Sequence, residues 1–281
     1  MIILSNSLKV IDARKEWHGK SVGLVPTMGA LHEGHTSLID YARSDNDIVV
    51  VSIFVNPTQF GPQEDLEKYP RDFEKDKNIC EAHKVDAIFY PKPEDIYPEG
   101  FKTYINVDEL SEFYCGKFRP GHFRGVTTVC AILFNLVRPD KVYFGTKDFQ
   151  QSIIVERMIK DLHLGCEMVR CPIIREPDGL ALSSRNKYLS EDEHKKALII
   201  NKAIQHAKKM FAEGIKDAPE MQEIIERFFR KEPDIRVEYI AIVDPQTLQP
   251  ETILKPESRI LIAAYAGATR LIDNNNFTSD L

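Results

Sequence analysis

A chain of 281 residues, 43% apolar or aromatic and 28% charged, can bury a substantial core, and at about 100–200 residues per domain it reads as two domains. Its net charge of −6 and pI near 5.8 exclude a general nucleic-acid binder, which needs clustered Lys and Arg for the phosphate backbone. Five scattered cysteines without a CxxC pair (Cys80, Cys115, Cys130, Cys166 and Cys171) point away from a disulfide framework or a zinc cage and towards a reducing cytoplasm.

In chain order, apolar Met1 to Leu4 has no basic flank and does not read as an export signal. Ser21 to Pro26 is a short strand that runs through Thr27-Met28-Gly29 into a helix over His35 to Arg43. Ile48 to Phe54 is rich in β-branched residues, the pattern of a strand covered on both faces. The apolar run there ends at Val55, far short of the roughly 20 residues of a membrane span, so no membrane insertion is expected. Pro70 to Lys84 reads as an amphipathic helix with Pro70 at its start. Ala87 to Tyr90 follows as a strand, Val126 to Val137 as a buried helix stopped by Pro139, and Lys141 to Phe144 as a strand. Asp148 to Leu162 is a helix and Glu167 to Ile174 a strand. This alternation predicts an α/β fold, a doubly wound parallel sheet with ligands at the carboxyl ends of its strands.

Beyond Ile174 the pattern changes. A polar loop, Glu176 to Asn186, precedes two charged helices over Glu191 to Glu213 and Pro219 to Lys231. Short strands follow at Val237 to Val243, Arg259 to Ala264 and Thr269 to Asp273. The expected division is therefore a first domain over 1–175 and a smaller α+β domain over 176–281, with disorder confined to Asn274 to Leu281.

Three segments carry residues suited to chemistry. Pro26 to His35 (PTMGALHEGH) lies between a strand and a helix, where unpaired N–H groups and the helix dipole favour phosphate. Gly29 and Gly34 let the backbone approach closely, and His32 and His35 can both face the bound phosphates; an isolated HxxH is also the spacing of a zinc pair, but no third ligand is evident. Gly145-Thr146-Lys147-Asp148 follows a strand: Lys147 can neutralise phosphate, Asp148 can bond a ribose hydroxyl, and Gln150 or Gln151 can face a substrate carboxylate. Asp178 to Asn186 (DGLALSSRN) combines a glycine, two hydroxyls and Arg185, and suits either a loop closing on a triphosphate or an ordinary linker.

The first segment is similar to the HxGH signature of the nucleotidyltransferase superfamily. More specifically, PTMGALHEGH, VSIFVNPTQFGPQEDLEKYPRD, FRPGHFRGV, FGTKDFQQ, DGLALSSRN and GATRLIDN, in this order across nearly the whole chain, resemble the pattern of pantothenate synthetases. The resemblance implies a Rossmann-like first domain with a smaller lid, a homodimer, and ATP- and Mg²⁺-dependent joining of pantoate to β-alanine through pantoyl adenylate. It further implies an ATP site lined by Met28, Gly29, Ala30, Leu31, His32, Glu33, Gly34 and His35, with His35 the favoured catalytic residue and His32 its partner. Gly145, Thr146, Lys147 and Asp148 would contact the nucleotide, Ile174 would pack on adenine, and Leu182, Ser183, Ser184 and Arg185 would form the closing loop. Lys147, Ser183, Ser184 and Arg185 would share in catalysis, and Asn56, Gln59 and Gln151 would hold pantoate and β-alanine; no protein ligand to a metal is expected.

Overall fold

The computed structural model describes residues 1–62 and 64–278. It divides into two compact units, Met1–Gly145 with Gln150–Cys171, and Thr146–Phe149 with the chain from Pro172 onwards.

In the first unit the elements run β1 (Ile2–Leu4), α1 (Ser7–Glu16), β2 (Val22–Thr27), α2 (Glu33–Asp45), β3 (Ile48–Ile53), α3 (Phe73–Ala82), β4 (Ala87–Phe89), α4 (Pro93–Ile96), α5 (Cys115–Phe118), α6 (His122–Val137), β5 (Lys141–Gly145), α7 (Phe149–Asp161) and β6 (Glu167–Cys171). Among the described residues the strands form one parallel six-stranded sheet in the order β1-β4-β3-β2-β5-β6. All six residues of β3 are buried, as a strand with helices on both faces requires. Because successive side chains point to opposite faces, Leu24 joins α1, α6 and α7 in one core, while its neighbour Val25 joins α2 and α3 in the other. The strand order turns outward in both directions from β2 and β5. That is the topological switch point, where an open α/β sheet leaves a crevice at its carboxyl edge.

The second unit holds α8 (Glu191–Ala197), α9 (Ile199–Ala212), α10 (Ala218–Phe229), β7 (Ile235–Val243), β8 (Arg259–Ala266) and β9 (Thr269–Asn276). The strands pair antiparallel in the order β7-β8-β9. Ile200, Ile204 and Ala207 of α9 and Met221 and Ile225 of α10 pack on Ile240 and Ile262 of that sheet. The fold is α/β, with a Rossmann-like sheet and a smaller α+β unit.

Several boundaries differ from the sequence reading. β1 and α1 are additions; α1 starts at a cap in which Asn6 accepts the Lys9 N–H at 3.0 Å. α3 begins at Phe73, because Asp72 accepts the Lys75 N–H and caps it, so Pro70 stands before the helix. The long helix expected over 191–213 divides at Leu198, where no Gly or Pro announces a break. The carboxyl end is ordered further than expected. Asn274 and Asn275 are buried in β9, and Phe277 stacks on Phe211 at 4.8 Å; residues 279–281 lie outside the described residues. No helix of the described residues is long and apolar enough to cross a membrane.

Burial pushes the thiols of Cys80, Cys130 and Cys171 up to about 12 and that of Cys166 to about 11. Thiolate, not thiol, attacks disulfide reagents. At pH 8 the folded protein should therefore leave these four cysteines unreacted with Ellman's reagent, whereas all five should titrate in guanidinium. Fast reaction at Cys130 in the folded state would contradict this account.

Candidate active site

The loop after β2 is built by hydrogen bonds that its own sequence only partly supplies. The Thr27 hydroxyl donates to the Ser52 carbonyl at 2.7 Å and accepts the Gly29 N–H at 3.2 Å. Gly29 turns the chain at φ +81°, and a Cβ there would lie 2.9 Å from Asp76 Oδ2, so both conformation and space require glycine. Asp76 reaches in from the first turn of α3 and is 2% exposed. Its carboxylate accepts the Ala30 N–H at 2.9 Å and the Leu31 N–H at 2.7 Å, and so holds Ala30 in the left-handed region at φ +53°.

His32 caps α2. Its Nδ1 accepts the Gly34 N–H at 3.1 Å, while His35 Nδ1 accepts the His32 N–H at 3.3 Å. A backbone N–H can only donate, so each Nδ1 is an acceptor and each neutral ring carries its proton on Nε2. The two rings lie 4.1 Å apart at 40°. This corrects one expectation about the loop. The amides of Gly29, Ala30, Leu31, His32 and Gly34 are engaged by protein groups instead of standing open to phosphate.

Beyond β3, the 3-10 turn Pro57–Gln59 places Asn56 and Gln59 at the same carboxyl edge. Asn56 is buried, and its amide is fully used. Nδ2 donates to Gln59 Oε1 (3.0 Å) and the Gly125 carbonyl (3.1 Å), and Oδ1 accepts from Thr58 and, at 2.7 Å, from Tyr97. The Gln59 Nε2, on the other side of the amide, contacts Met28 Sδ at 3.0 Å. Met28, Asn56 and Gln59 are thus brought together. A Cβ on Gly125 would meet the Thr58 carbonyl oxygen at 2.4 Å, so the glycine of FRGV lets α6 lie against this turn. Arg119 chelates Glu64 at 2.7 and 2.6 Å and donates to His122 Nε2; His122 Nδ1–H then donates to the Gln59 carbonyl at 2.9 Å. Gln151 is half-buried in the first turn of α7. Its neighbour Gln150 is structural, bonded to the Cys115 N–H and the carbonyls of Leu110 and Phe113.

Gly145 closes β5, while Thr146, Lys147 and Asp148 belong with the second unit. Lys147 Nζ lies 3.8 Å from the Asp148 carboxylate. The segment from Ile174 is more ordered than a linker. The Leu182 N–H donates to the Ile174 carbonyl (3.0 Å) and the Glu176 N–H to the Leu180 carbonyl (2.8 Å); Ser183 then caps the 3-10 turn Ser184–Tyr188 that carries Arg185. Arg175 forks onto Asp273 at 2.7 and 3.0 Å and donates to the Gly179 carbonyl. Glu176, Asp178 and His194 form the one group of three metal-capable side chains among the described residues, with His194 Nε2 hydrogen-bonded to Asp178 at 2.7 Å.

A family model described as pantoate-beta-alanine ligase matches residues 3–276. The chain belongs to the pantoate–β-alanine ligase family. Among the similar proteins is a pantothenate synthetase from Sulfurihydrogenibium sp. (strain YO3AOP1), 55% identical over 92% of this chain and 93% of that one. Another, from Caldicellulosiruptor bescii, is 51% identical over 95% of both chains. The solved structure of the Thermus thermophilus pantothenate synthetase matches with a TM-score of 0.95 at 43% identity, covering 99% of this chain and 100% of that one. A Francisella tularensis pantoate-beta-alanine ligase, described as complexed with beta-gamma ATP and beta-alanine, matches with a TM-score of 0.82 at 36% identity over the whole of both chains.

Asp76, Arg119, His122, Tyr97 and Gly125 are not singled out by the sequence, yet they hold the loop and turn that carry the candidate residues. FRPGHFRGV entered only as part of the family resemblance, and the fold shows that His122 bonds the Gln59 carbonyl while Gly125 lets α6 lie against the Gln59 turn. Asp76 gave no local signal, since its partners lie 45 and 46 residues away.

Proposed function

We propose that this ligase forms pantothenate in two steps at the residues described. The pantoate carboxylate attacks the α-phosphorus of MgATP, the bond to the diphosphate leaving group breaks, and pantoyl adenylate forms. The amine of β-alanine then attacks the activated carbonyl, its surplus proton is lost, and AMP departs. The observation that carries this reading is the pair of imidazoles whose Nδ1 atoms are both held by backbone N–H groups. Two Nε2–H donors are thereby fixed before substrate arrives, at the sheet edge where charge on an α-phosphate must be met.

The remaining roles follow from residue chemistry. Gln59, with its carbonyl oxygen tied to Asn56, offers N–H donors to a carboxylate or hydroxyl of pantoate, and Asn56 contributes by orienting it. Gln151 offers a second amide. Lys147 and Arg185 supply cationic donors to phosphate, Asp148 accepts from ribose, Ile174 covers adenine, and Leu182 to Ser184 complete the loop that presents Arg185. The Glu176, Asp178 and His194 group includes an imidazole and is bonded within itself, a poor match to the all-oxygen, well-hydrated sites of Mg²⁺. Mg²⁺ is accordingly assigned to the triphosphate as part of the substrate, where it neutralises charge. The assembly we infer is a homodimer, which sedimentation equilibrium tests.

Pantoate-dependent exchange of labelled diphosphate into ATP, without β-alanine, tests the first step; exchange that ignores pantoate would overturn it. Replacing Gln151 by alanine should raise the KM for pantoate about tenfold, the loss of one hydrogen bond of roughly 1.4 kcal/mol, with ATP affinity little changed. Weakened ATP binding with normal pantoate saturation would move Gln151 to the nucleotide.

A further inference from the structure

GATRLIDN matches the family pattern, yet none of its residues has a role in the two steps above. Asn274, in β9, is 3% exposed and has every hydrogen-bonding capacity of its amide committed. Arg259 donates to its Oδ1 through Nε at 2.8 Å and Nη2 at 2.6 Å. A guanidinium can only donate, so this pair fixes the amide's orientation and turns Nδ2 the other way. The two Nδ2 donors go to the backbone carbonyls of Thr146 at 3.0 Å and Lys147 at 2.8 Å. Arg259, 4% exposed, also stands over the Phe149 ring at 4.4 Å from its centroid, so both side chains grip the same four-residue segment.

We propose that Asn274 is a positioning residue for Lys147, with Arg259 setting the orientation of its amide. The proposal rests on the reading of Lys147 as a donor to phosphate during adenylation. Tying the carbonyls on both sides of the Lys147 amide-to-carbonyl stretch fixes where its Cα, and hence its flexible ammonium, starts from. A lysine stem of four carbons is otherwise free to wander.

The variant Asn274→Asp keeps the shape and the Arg259 pair but sets an oxygen against two carbonyl oxygens. It should lower the rate of adenylate formation about 10- to 100-fold, the scale of a small misplacement of a reacting group, and leave the KM for pantoate unchanged. In a Lys147→Ala background the same substitution should add nothing, because the side chain through which it acts is gone. Asn274→Ala, which introduces no charge, serves if the aspartate variant does not fold, and should behave alike. If Lys147→Ala slows adenylation while the losses from the two sites multiply, or if both Asn274 variants keep wild-type rates, Asn274 only supports the fold and the proposal is wrong. If Lys147→Ala itself leaves adenylation untouched, the reading of Lys147 fails first and takes the proposal with it.

Discussion

Replacing His35 by alanine should lower the rate of pantoyl adenylate formation by about 10²-fold or more, the loss seen when one preorganised donor to a developing oxyanion is removed. ATP affinity should fall much less, because the proposed Nε2–H contact would strengthen as charge builds on the α-phosphate. Two variants separate its two jobs. Asparagine can put Oδ1 where Nδ1 now accepts the His32 N–H, keeping the start of α2 but lacking the outer donor. Glutamine can reach further and place an N–H near Nε2. Rapid-quench measurement of diphosphate should find the asparagine variant as slow as alanine at near-native stability, with glutamine partly active. Equal losses in ATP affinity and rate across the series would make His35 a uniform binding residue.

The second large effect belongs to Asp76, which should not touch substrate at all. Asp76→Ala leaves the Ala30 and Leu31 N–H groups buried without their carboxylate, at about 1–3 kcal/mol each, so a loss of roughly 2–6 kcal/mol in stability is expected. The strained φ of Ala30 also loses its restraint, and the histidines that follow lose their fixed starting point. Asp76→Asn is the sharper probe. Its amide can offer one oxygen but must set an NH₂ against the other backbone donor. We expect it to fold, with a midpoint in urea well below that of the parent and an adenylation rate reduced about 10- to 100-fold. A stable Asp76→Asn variant with full activity would show that the loop holds itself.

Much of this fold was legible because the sheet's signals are local. Ile48 to Ile53 reads as a covered strand from its β-branched run, and the strand, loop and helix around Met28 to His35 read from apolar periodicity and glycines. β1 and α1 were not legible: three apolar residues at an edge and a helix with weak amphipathicity leave little pattern to detect. The division at Leu198 also left no mark, since its φ of −57° and ψ of −19° remain helical. At the site, residue types carried His32, His35 and Lys147, and the family resemblance carried Gln59, whereas the groups that aim them were hidden. Asp76, His122 and Asn274 act through partners 45 to 128 residues away, and no spacing rule joins such distant positions.

The bond between Asn274 and the Thr146 carbonyl also sets a timetable. The two residues are 128 positions apart, so at about 5–20 residues per second a ribosome makes the second on the order of ten seconds after the first. All strands of the parallel sheet have been synthesised by Cys171. The Lys147 segment must wait for Asn274 before its carbonyls find their amide. A nascent chain can therefore own a finished sheet and still lack a finished site, and a chain stopped just before Asn274 would keep every strand of the parallel sheet while the Lys147 segment lacked its amide.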